Sequence, residues 1–267
     1  MDFSDELIAR SGYDRPGFAA RYDRFRPRTP QTLVEVLRRY ARVERPAFVV
    51  DLGCGTGLST RIWSGAAERV VGIEPNAAML AAAEDGPGVD YREAFAHDTG
   101  LASGSADIVT CSQSLHWMEP EPTFAEVERL LRAGGVFAAY DYDWPPVVDP
   151  ELDEAFRAYQ ERRRQARQAH GIQRGADRWA KEKHLERMRE SGHFRFCREL
   201  VLHSIEEGNA ERIAGFARSL GLPVADMNDD ALEGALRVDA LEDVAHRVLG
   251  GRTVPMLFGY RVRVGVR

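Results

Sequence analysis

At 267 residues the chain is long enough to bury a large core, and its 44% hydrophobic and 29% charged residues are those of an ordinary soluble protein. A net charge of −6 argues against a general nucleic-acid binder, and no apolar run reaches the roughly 18 residues of a membrane span. The acidic opening MDFSDELIAR lacks the layout of a signal peptide, so a cytoplasmic protein without nucleic-acid or membrane partners is expected.

In chain order, TPQTLVEVLRRYA offers Thr29 as a cap, Pro30 at the first helical position, and Leu33, Leu37 and Tyr40 at helical spacing. AFVVDLG is a short buried-strand run ending in a glycine turn, and LSTRIWSGA is expected to start a helix. RVVGIEP is a second strand followed by the helical NAAMLAAAE, with further strands at VDYRE and ADIVTCS. PTFAEVERLLRAGG is predicted to be a helix with a capping box of Thr123 and Glu126, stopped by two glycines, and GVFAAYDY is a fifth strand. The region from Asp149 to about Glu190 is helical and charged, with eleven Lys/Arg against five Asp/Glu between Arg157 and Glu190. FRFCRELVLH and MLFGYRVRVGVR then read as strands, the last with Tyr260, Val262, Val264 and Val266 on one face. Helices are expected between them at AERIAGFARSLG and LEDVAHRVL.

Strands alternating with helices at this rhythm predict an α/β, Rossmann-like sheet of seven strands. It is mostly parallel, with helices on both faces, the last strand antiparallel, and added helical insertions. A single domain over 1–267 is expected, with a cofactor-binding core at 18–145, helical insertions at 146–192 and 204–252 forming a substrate cap, and terminal strands at 193–203 and 253–267. Cys54, Cys111 and Cys197 lie far apart with no CxxC, so neither a disulfide framework nor a metal site is expected.

The chemistry concentrates in VVDLGCGTGLSTRI, residues 49–62. Gly53, Gly55 and Gly57 follow a strand that ends at Asp51, where open parallel sheets bind ligands. A nucleoside triphosphate site would need GxxxxGK[ST], and no such lysine is present. A dinucleotide site would place a third glycine at position 58, which is Leu58. The spacing is GxGxG, which suits a ligand with a zwitterionic tail and no phosphate. Its carboxylate would meet free backbone N–H groups at the start of the next helix, and its ammonium the carbonyls near Asp51. Glu74, 23 residues after Asp51, ends the second strand where an acid accepts from ribose hydroxyls, with Pro75 beside it.

The loop resembles the first motif of class I S-adenosylmethionine-dependent methyltransferases, and the resemblance runs from about Phe18 to Asp143. The lead-in FAARYDRFRPRTPQTLVEVL resembles that of the small-molecule group that includes trans-aconitate methyltransferase, in which a tyrosine-bearing segment closes over cofactor and substrate. Tyr22 and Arg26 are the matching positions. GSADIVTCSQSLHWMEPEPTFAEVERLLRAGGVF resembles the fourth strand of the family and the loop after it, which implies Ser112 and Gln113 near the methionyl part of the cofactor. The family often has Gly-Asp-Ala ahead of that strand, but here the place is Ala94-Phe95-Ala96. The missing aspartate leaves adenine to backbone groups and to Phe95 and Ala96, helped by His97 or Asp98.

The resemblance implies S-adenosyl-L-methionine as cofactor, bound by Tyr22, Asp51, Gly53, Cys54, Gly55, Gly57, Glu74, Pro75, Phe95, Ala96, Ser112 and Gln113. It implies a small-molecule methyl acceptor, a carboxylate or hydroxyl, methylated by in-line displacement in a monomer or homodimer. A methyltransferase of RNA or protein, a non-catalytic cofactor-binding protein and an NAD oxidoreductase are the rival readings. His116 is the candidate base, with Trp117 as a pocket wall. Asp141 and Tyr142, with Trp144, sit at the end of the fifth strand, which faces the acceptor pocket in this architecture. Arg163, Arg167, Arg174 and Arg178 either steer an anionic acceptor or form a solvated surface.

Overall fold

The computed structural model of the chain describes Tyr13 and residues 17–169, 179–220 and 234–267, with only the backbone of Arg167. Arg174 and Arg178 lie outside the described residues. The chain forms two compact units: Arg28–Tyr142, Ala176–Leu202 and Tyr260–Arg267 make one, and Met1–Pro27, Asp143–Gly175 and His203–Gly259 make the other.

The helices and strands, in chain order, are α1 (Phe18–Phe25), α2 (Thr32–Ala41), β1 (Phe48–Leu52), β2 (Arg69–Glu74), α3 (Ala77–Leu80), β3 (Val89–Glu93), β4 (Ala106–Ser112), α4 (Pro120–Leu130), β5 (Leu131–Tyr142), α5 (Pro150–Ala169), α6 (His184–Glu190), β6 (Phe196–Gly208), α7 (Ala210–Arg218), α8 (Val238–Leu249) and β7 (Val254–Val266). The seven strands form one sheet in the order β3-β2-β1-β4-β5-β7-β6. The pairs among β1 to β5 are parallel and β7 runs antiparallel to β5, with Tyr142 opposite Tyr260 and Val136 opposite Val266. The strand order reverses between β1 and β4, so a crevice is expected at their carboxyl ends.

In the first unit, Val50, Leu52, Val71, Ile73, Val109 and Phe137 are buried on the strands, and Phe124, Val127 and Leu130 of α4 cover them. Phe194 lies flat on Phe137 at 5.6 Å, and Phe124 meets both edge-on. Each such ring contributes about 1.5–3 kcal/mol by leaving water. The second unit has its own core. Leu152, Phe156 and Tyr159 recur at helical spacing on α5, and Phe216 of α7 stacks on Phe156 at 5.8 Å. The Tyr159 hydroxyl donates to the Ala217 carbonyl at 2.7 Å.

Several boundaries differ from those expected. No α-helix follows the glycine loop: the chain makes a series of turns and one 3-10 turn at Arg61–Trp63. Ser59 and Thr60 direct their hydroxyls at the Asp51 carboxylate instead. In α4, Glu119 is the cap and Pro120 opens the helix, whereas Thr123 is buried inside it. Glu126 accepts from Thr99 and Arg129 instead of closing a capping box. That helix ends at Leu130 without its glycines, because the chain turns directly into β5. The first of the terminal strands runs on to Gly208 rather than ending near residue 203.

Candidate functional site at the strand crossover

The loop after β1 is held in left-handed backbone: φ is +66° at Gly53, +56° at Gly55 and +78° at Gly57. A side chain would be strained at each. At Gly53 a Cβ would also fall 2.6 Å from the Cβ of Ser114, and at Gly57 it would collide with the Tyr91 hydroxyl. The bareness of the loop is therefore demanded first by the protein's own packing. The loop is pinned on both sides. The N–H groups of Gly53 and Cys54 share the Ile73 carbonyl of β2 at 2.7 and 3.1 Å. The Ser114 hydroxyl, from the segment after β4, donates to the Leu52 carbonyl at 2.9 Å.

Two carboxylates organise this bend. Asp51 is fully buried and accepts from the hydroxyls of Ser59 at 2.6 Å and of Thr60 and Thr110 at 2.7 Å. Burial raises its pKa, and the three hydroxyls offset part of that rise. Asp51 thus clamps the loop to β4 rather than pointing outward. Glu74 accepts from the Asn76 N–H and the Gly55 N–H, both at 2.9 Å. Burial likewise raises its pKa, against the lowering effect of those two donors. An ionised carboxylate offers about four lone-pair sites, so Glu74 keeps acceptor capacity for two sugar hydroxyls.

The loop after β4 stands next to this bend. Gln113 adopts a positive φ of +52°, unusual for a side-chain-bearing residue. Its N–H donates to the Tyr140 carbonyl at 2.9 Å, and its amide oxygen accepts from Lys181 Nζ at 2.6 Å. Lys181 Nζ also lies 2.6 Å from Asp141, whose other oxygen accepts from Arg263 at 2.8 Å. Arg263 donates further to Glu199 at 2.8 Å. Beside this group His184 is buried with neither ring nitrogen hydrogen-bonded, and burial lowers its pKa to about 4. His116 is buried on a 3-10 turn, Leu115–Trp117, and its carbonyl accepts from the Trp179 N–H at 2.8 Å.

The first unit therefore holds Asp51, Gly53, Cys54, Gly55, Gly57, Glu74, Pro75, Phe95, Ala96, Ser112, Gln113, His116, Trp117, Asp141 and Tyr142. Phe95 stacks on His97 at 5.6 Å in a tight turn closed by the Asp98 N–H, and Ala96 is buried. Tyr22, Arg26 and Trp144 belong to the second unit. There the Arg26 guanidinium lies 4.4 Å over the Tyr22 ring and donates to the Ser219 carbonyl, while Trp144 meets Phe216 edge-on. Arg163 donates to the Leu220 carbonyl at 2.5 Å and Arg162 to that of Leu236 at 2.8 Å, so both brace α5 within its own unit. Sequence reasoning missed Lys181, His184 and Arg263. Only Arg263 left a signal, as a charge set between valines where the end of β7 is buried on both faces.

Residues 50–139 match the family described as "Methyltransferase domain". This stretch carries the glycine loop, Glu74 and the Gln113 loop. Over these residues the chain resembles a methyltransferase domain. The resemblance and the fold read from the sequence are both borne out. A Saccharomyces cerevisiae protein named "Probable S-adenosylmethionine-dependent methyltransferase CRG1" is 32% identical over 149 residues, covering 53% of this chain and 50% of its own length. A trans-aconitate 2-methyltransferase of Acidovorax ebreus is 35% identical over 125 residues, covering 45% and 47%. The chain thus spans about half the length of the curated relatives it matches. A solved structure, "Putative Type II Methyltransferase from Anaeromyxobacter dehalogenans", superposes with a TM-score of 0.64 at 25% identity, over 91% of this chain and 98% of that one. Among the described residues no helix is long and apolar enough to cross a membrane.

Proposed function

We propose that the chain is an S-adenosylmethionine-dependent methyltransferase acting on a small molecule that presents a carboxylate or hydroxyl oxygen. One observation carries the reading: at the crossover of β1 and β4, a left-handed glycine loop is tied through the Gly55 N–H to a half-buried glutamate that retains acceptor capacity. Tight spacing without a phosphate-binding lysine suits an amino-acid tail, and Glu74 suits a ribose. The missing helix after the loop takes away a macrodipole, so anion recognition at the tail falls to individual backbone N–H groups.

The cofactor supplies a sulfonium methyl that is already activated. The remaining work of the protein is placement. Glu74 and the loop fix the sugar and tail, Phe95 and Ala96 offer an apolar edge to the base, and Ser112 and Gln113 bound the methionyl end. Alignment of an acceptor behind the methyl carbon can supply about 7–11 kcal/mol of barrier lowering. A carboxylate oxygen is already a nucleophile and needs no proton removed. A hydroxyl acceptor needs a base, and His116, with Trp117 beside it, is the residue we assign to that task. The Acidovorax relative is named for a tricarboxylate substrate, which favours the carboxylate acceptor.

The test is calorimetry on nucleoside-free protein with S-adenosylmethionine and S-adenosylhomocysteine, followed by an assay for S-adenosylhomocysteine formation with carboxylate and hydroxyl acceptors. Binding of both nucleosides and turnover with at least one acceptor are expected. Absence of binding sinks the reading. His116→Ala is expected to spare carboxylate turnover and to abolish hydroxyl turnover.

A further inference from the structure

We propose that Tyr91 is a positioning residue for the cofactor: its ring and hydroxyl fix the distance between the loop that takes the amino-acid tail and the segment that takes the sugar. The proposal rests on the methyl-transfer reading above and adds to it a residue of β3, a strand that reading does not otherwise use.

The geometry starts from a missing side chain. Asp51, Gly72 and Tyr91 are register partners across β1, β2 and β3. A Cβ at Gly72 would fall 2.7 Å from Cδ1 of Tyr91 and 2.8 Å from Sγ of Cys54. The bare position in β2 is thus filled by a ring from the next strand and a thiol from the loop. Across that gap the Tyr91 hydroxyl arrives against Gly57, where a Cβ would overlap it. The same hydroxyl donates to the Glu84 carbonyl at 2.9 Å, in the stretch that follows Glu74, Asn76 and α3. One phenol oxygen therefore meets the last glycine of the tail loop and the chain that leaves the sugar-binding acid.

Other contacts run along the same seam, and each is softer. Buried Met79 of α3 lies against Gly55, where a Cβ would sit 3.2 Å from its Cε. Arg61 donates to the Thr56 carbonyl at 2.8 Å and pairs with Glu84 at 3.5 Å. A methionine side chain is flexible, and an ion pair with an exposed glutamate contributes little. Tyrosine has only two side-chain torsions, so a ring seated at Gly72 with its hydroxyl anchored at Glu84 is the stiff member of the set. Asp51 ties the loop to β4 through Thr110, and Tyr91 braces its other side from β3. A ligand that spans both ends is sensitive to any error in their spacing, whereas one that uses the sugar end alone is not.

The experiment titrates the full chain with S-adenosylhomocysteine and with methylthioadenosine, which keeps the base, sugar and sulfur but lacks the amino-acid tail. The wild type is expected to bind both, the first more tightly. Tyr91→Ala is expected to lower S-adenosylhomocysteine affinity about tenfold and to leave methylthioadenosine within about twofold of wild type. Tyr91→Phe keeps the ring and drops the tie to Glu84, so it is expected to lose about threefold to fivefold for S-adenosylhomocysteine, as for one neutral hydrogen bond. If Tyr91→Ala shows no cooperative urea unfolding, Tyr91→Phe decides alone. The proposal is overturned if the deciding variant keeps S-adenosylhomocysteine affinity within about twofold of wild type. It is also overturned if affinity for the two ligands falls in equal measure, which would make Tyr91 a prop for the whole sheet edge. A wild type that binds the two ligands equally, or does not bind methylthioadenosine, overturns it too, because the two ends would then not act separately. Failure of the wild type to bind S-adenosylhomocysteine at all would instead sink the underlying reading.

Discussion

Asp51 and Asp141 stand near the carboxyl ends of two parallel strands separated by β4, and both are buried, yet they are satisfied by opposite means. Asp51 accepts from three neutral hydroxyls, all within nine residues or on the adjacent strand. Asp141 accepts from two cations that the chain delivers from far downstream, Lys181 and Arg263. The first arrangement fixes the backbone of the loop. The second ties β5 to distant segments through charge. The molecule thus builds its two ends of the candidate site from the same residue type with different partners.

The comparison breaks if the hydroxyl clamp is worth little. Asp51→Ala strands three buried hydroxyls at about 1–3 kcal/mol each before local rearrangement, so a net loss of about 3–5 kcal/mol in urea unfolding is expected. S-adenosylhomocysteine binding should be lost with it, because the loop loses its tie to β4. A loss below 1 kcal/mol (on the order of a single hydrogen bond) would show that the backbone contacts to Ile73 and Ser114 suffice.

The cationic end is sharpened by acid. His184 is buried among Asp141, Arg263, Arg187 and Lys181, and burial holds its pKa at about 4 in place of the ordinary 6.5. Below pH 6.5 the unfolded chain takes up a proton that the folded chain refuses, so stability falls as pH drops from 6.5 toward 4. The depression corresponds to roughly 3 kcal/mol by pH 4. His184→Leu is expected to remove that part of the acid slope, measured as urea midpoints across the window. An unchanged slope would show that His184 is charged or solvated in the folded state.

Glu74→Gln probes the cofactor end more gently. The amide keeps one acceptor oxygen for backbone and loses the charge that strengthens bonds to sugar hydroxyls, so S-adenosylhomocysteine affinity should fall by about 10–100-fold, or 1.5–3 kcal/mol. Stability of the unliganded protein should move less than in Asp51→Ala. An affinity within about twofold of wild type (under 0.5 kcal/mol) would remove Glu74 from ribose recognition.

The same contrast decides what could be read in advance. β1 to β4 and the loop between Asp51 and Gly57 are legible because their signals are local: apolar runs of strand length, glycines at fixed spacing, an acid at the end of the next strand. The hydroxyl partners Ser59 and Thr60 were in view in the same string, and only their use on Asp51 was not. Lys181 carries no such mark. It is one of eleven basic residues in a charged stretch, and only the tertiary fold sets it beside Gln113 and Asp141. Of the arginines in that stretch, Arg163 donates to the Leu220 carbonyl.

A half-buried histidine offers the smallest effect and the sharpest control for the fully buried one. His193 Nδ1 lies 2.6 Å from Glu128 and its Nε2 3.2 Å from Glu121 of α4. Burial alone would lower its pKa, but the two glutamates outweigh it and raise the pKa above the ordinary value. The sign is therefore opposite to that of His184. The contribution is fully present below pH 6.5 and is lost as pH rises through the higher folded value. Glu121 and Glu128 are largely solvated, so the gain should be only about 0.5–1 kcal/mol and should shrink in salt. His193→Gln is expected to flatten the loss of stability as pH rises above 6.5. If His193→Gln instead removed several kcal/mol at every pH, well above the ~1 kcal/mol ceiling of exposed ion pairs, the ring would be a packing element between α4 and the turn before β6, and the contrast between dry and wet histidines would have to be drawn from geometry rather than charge.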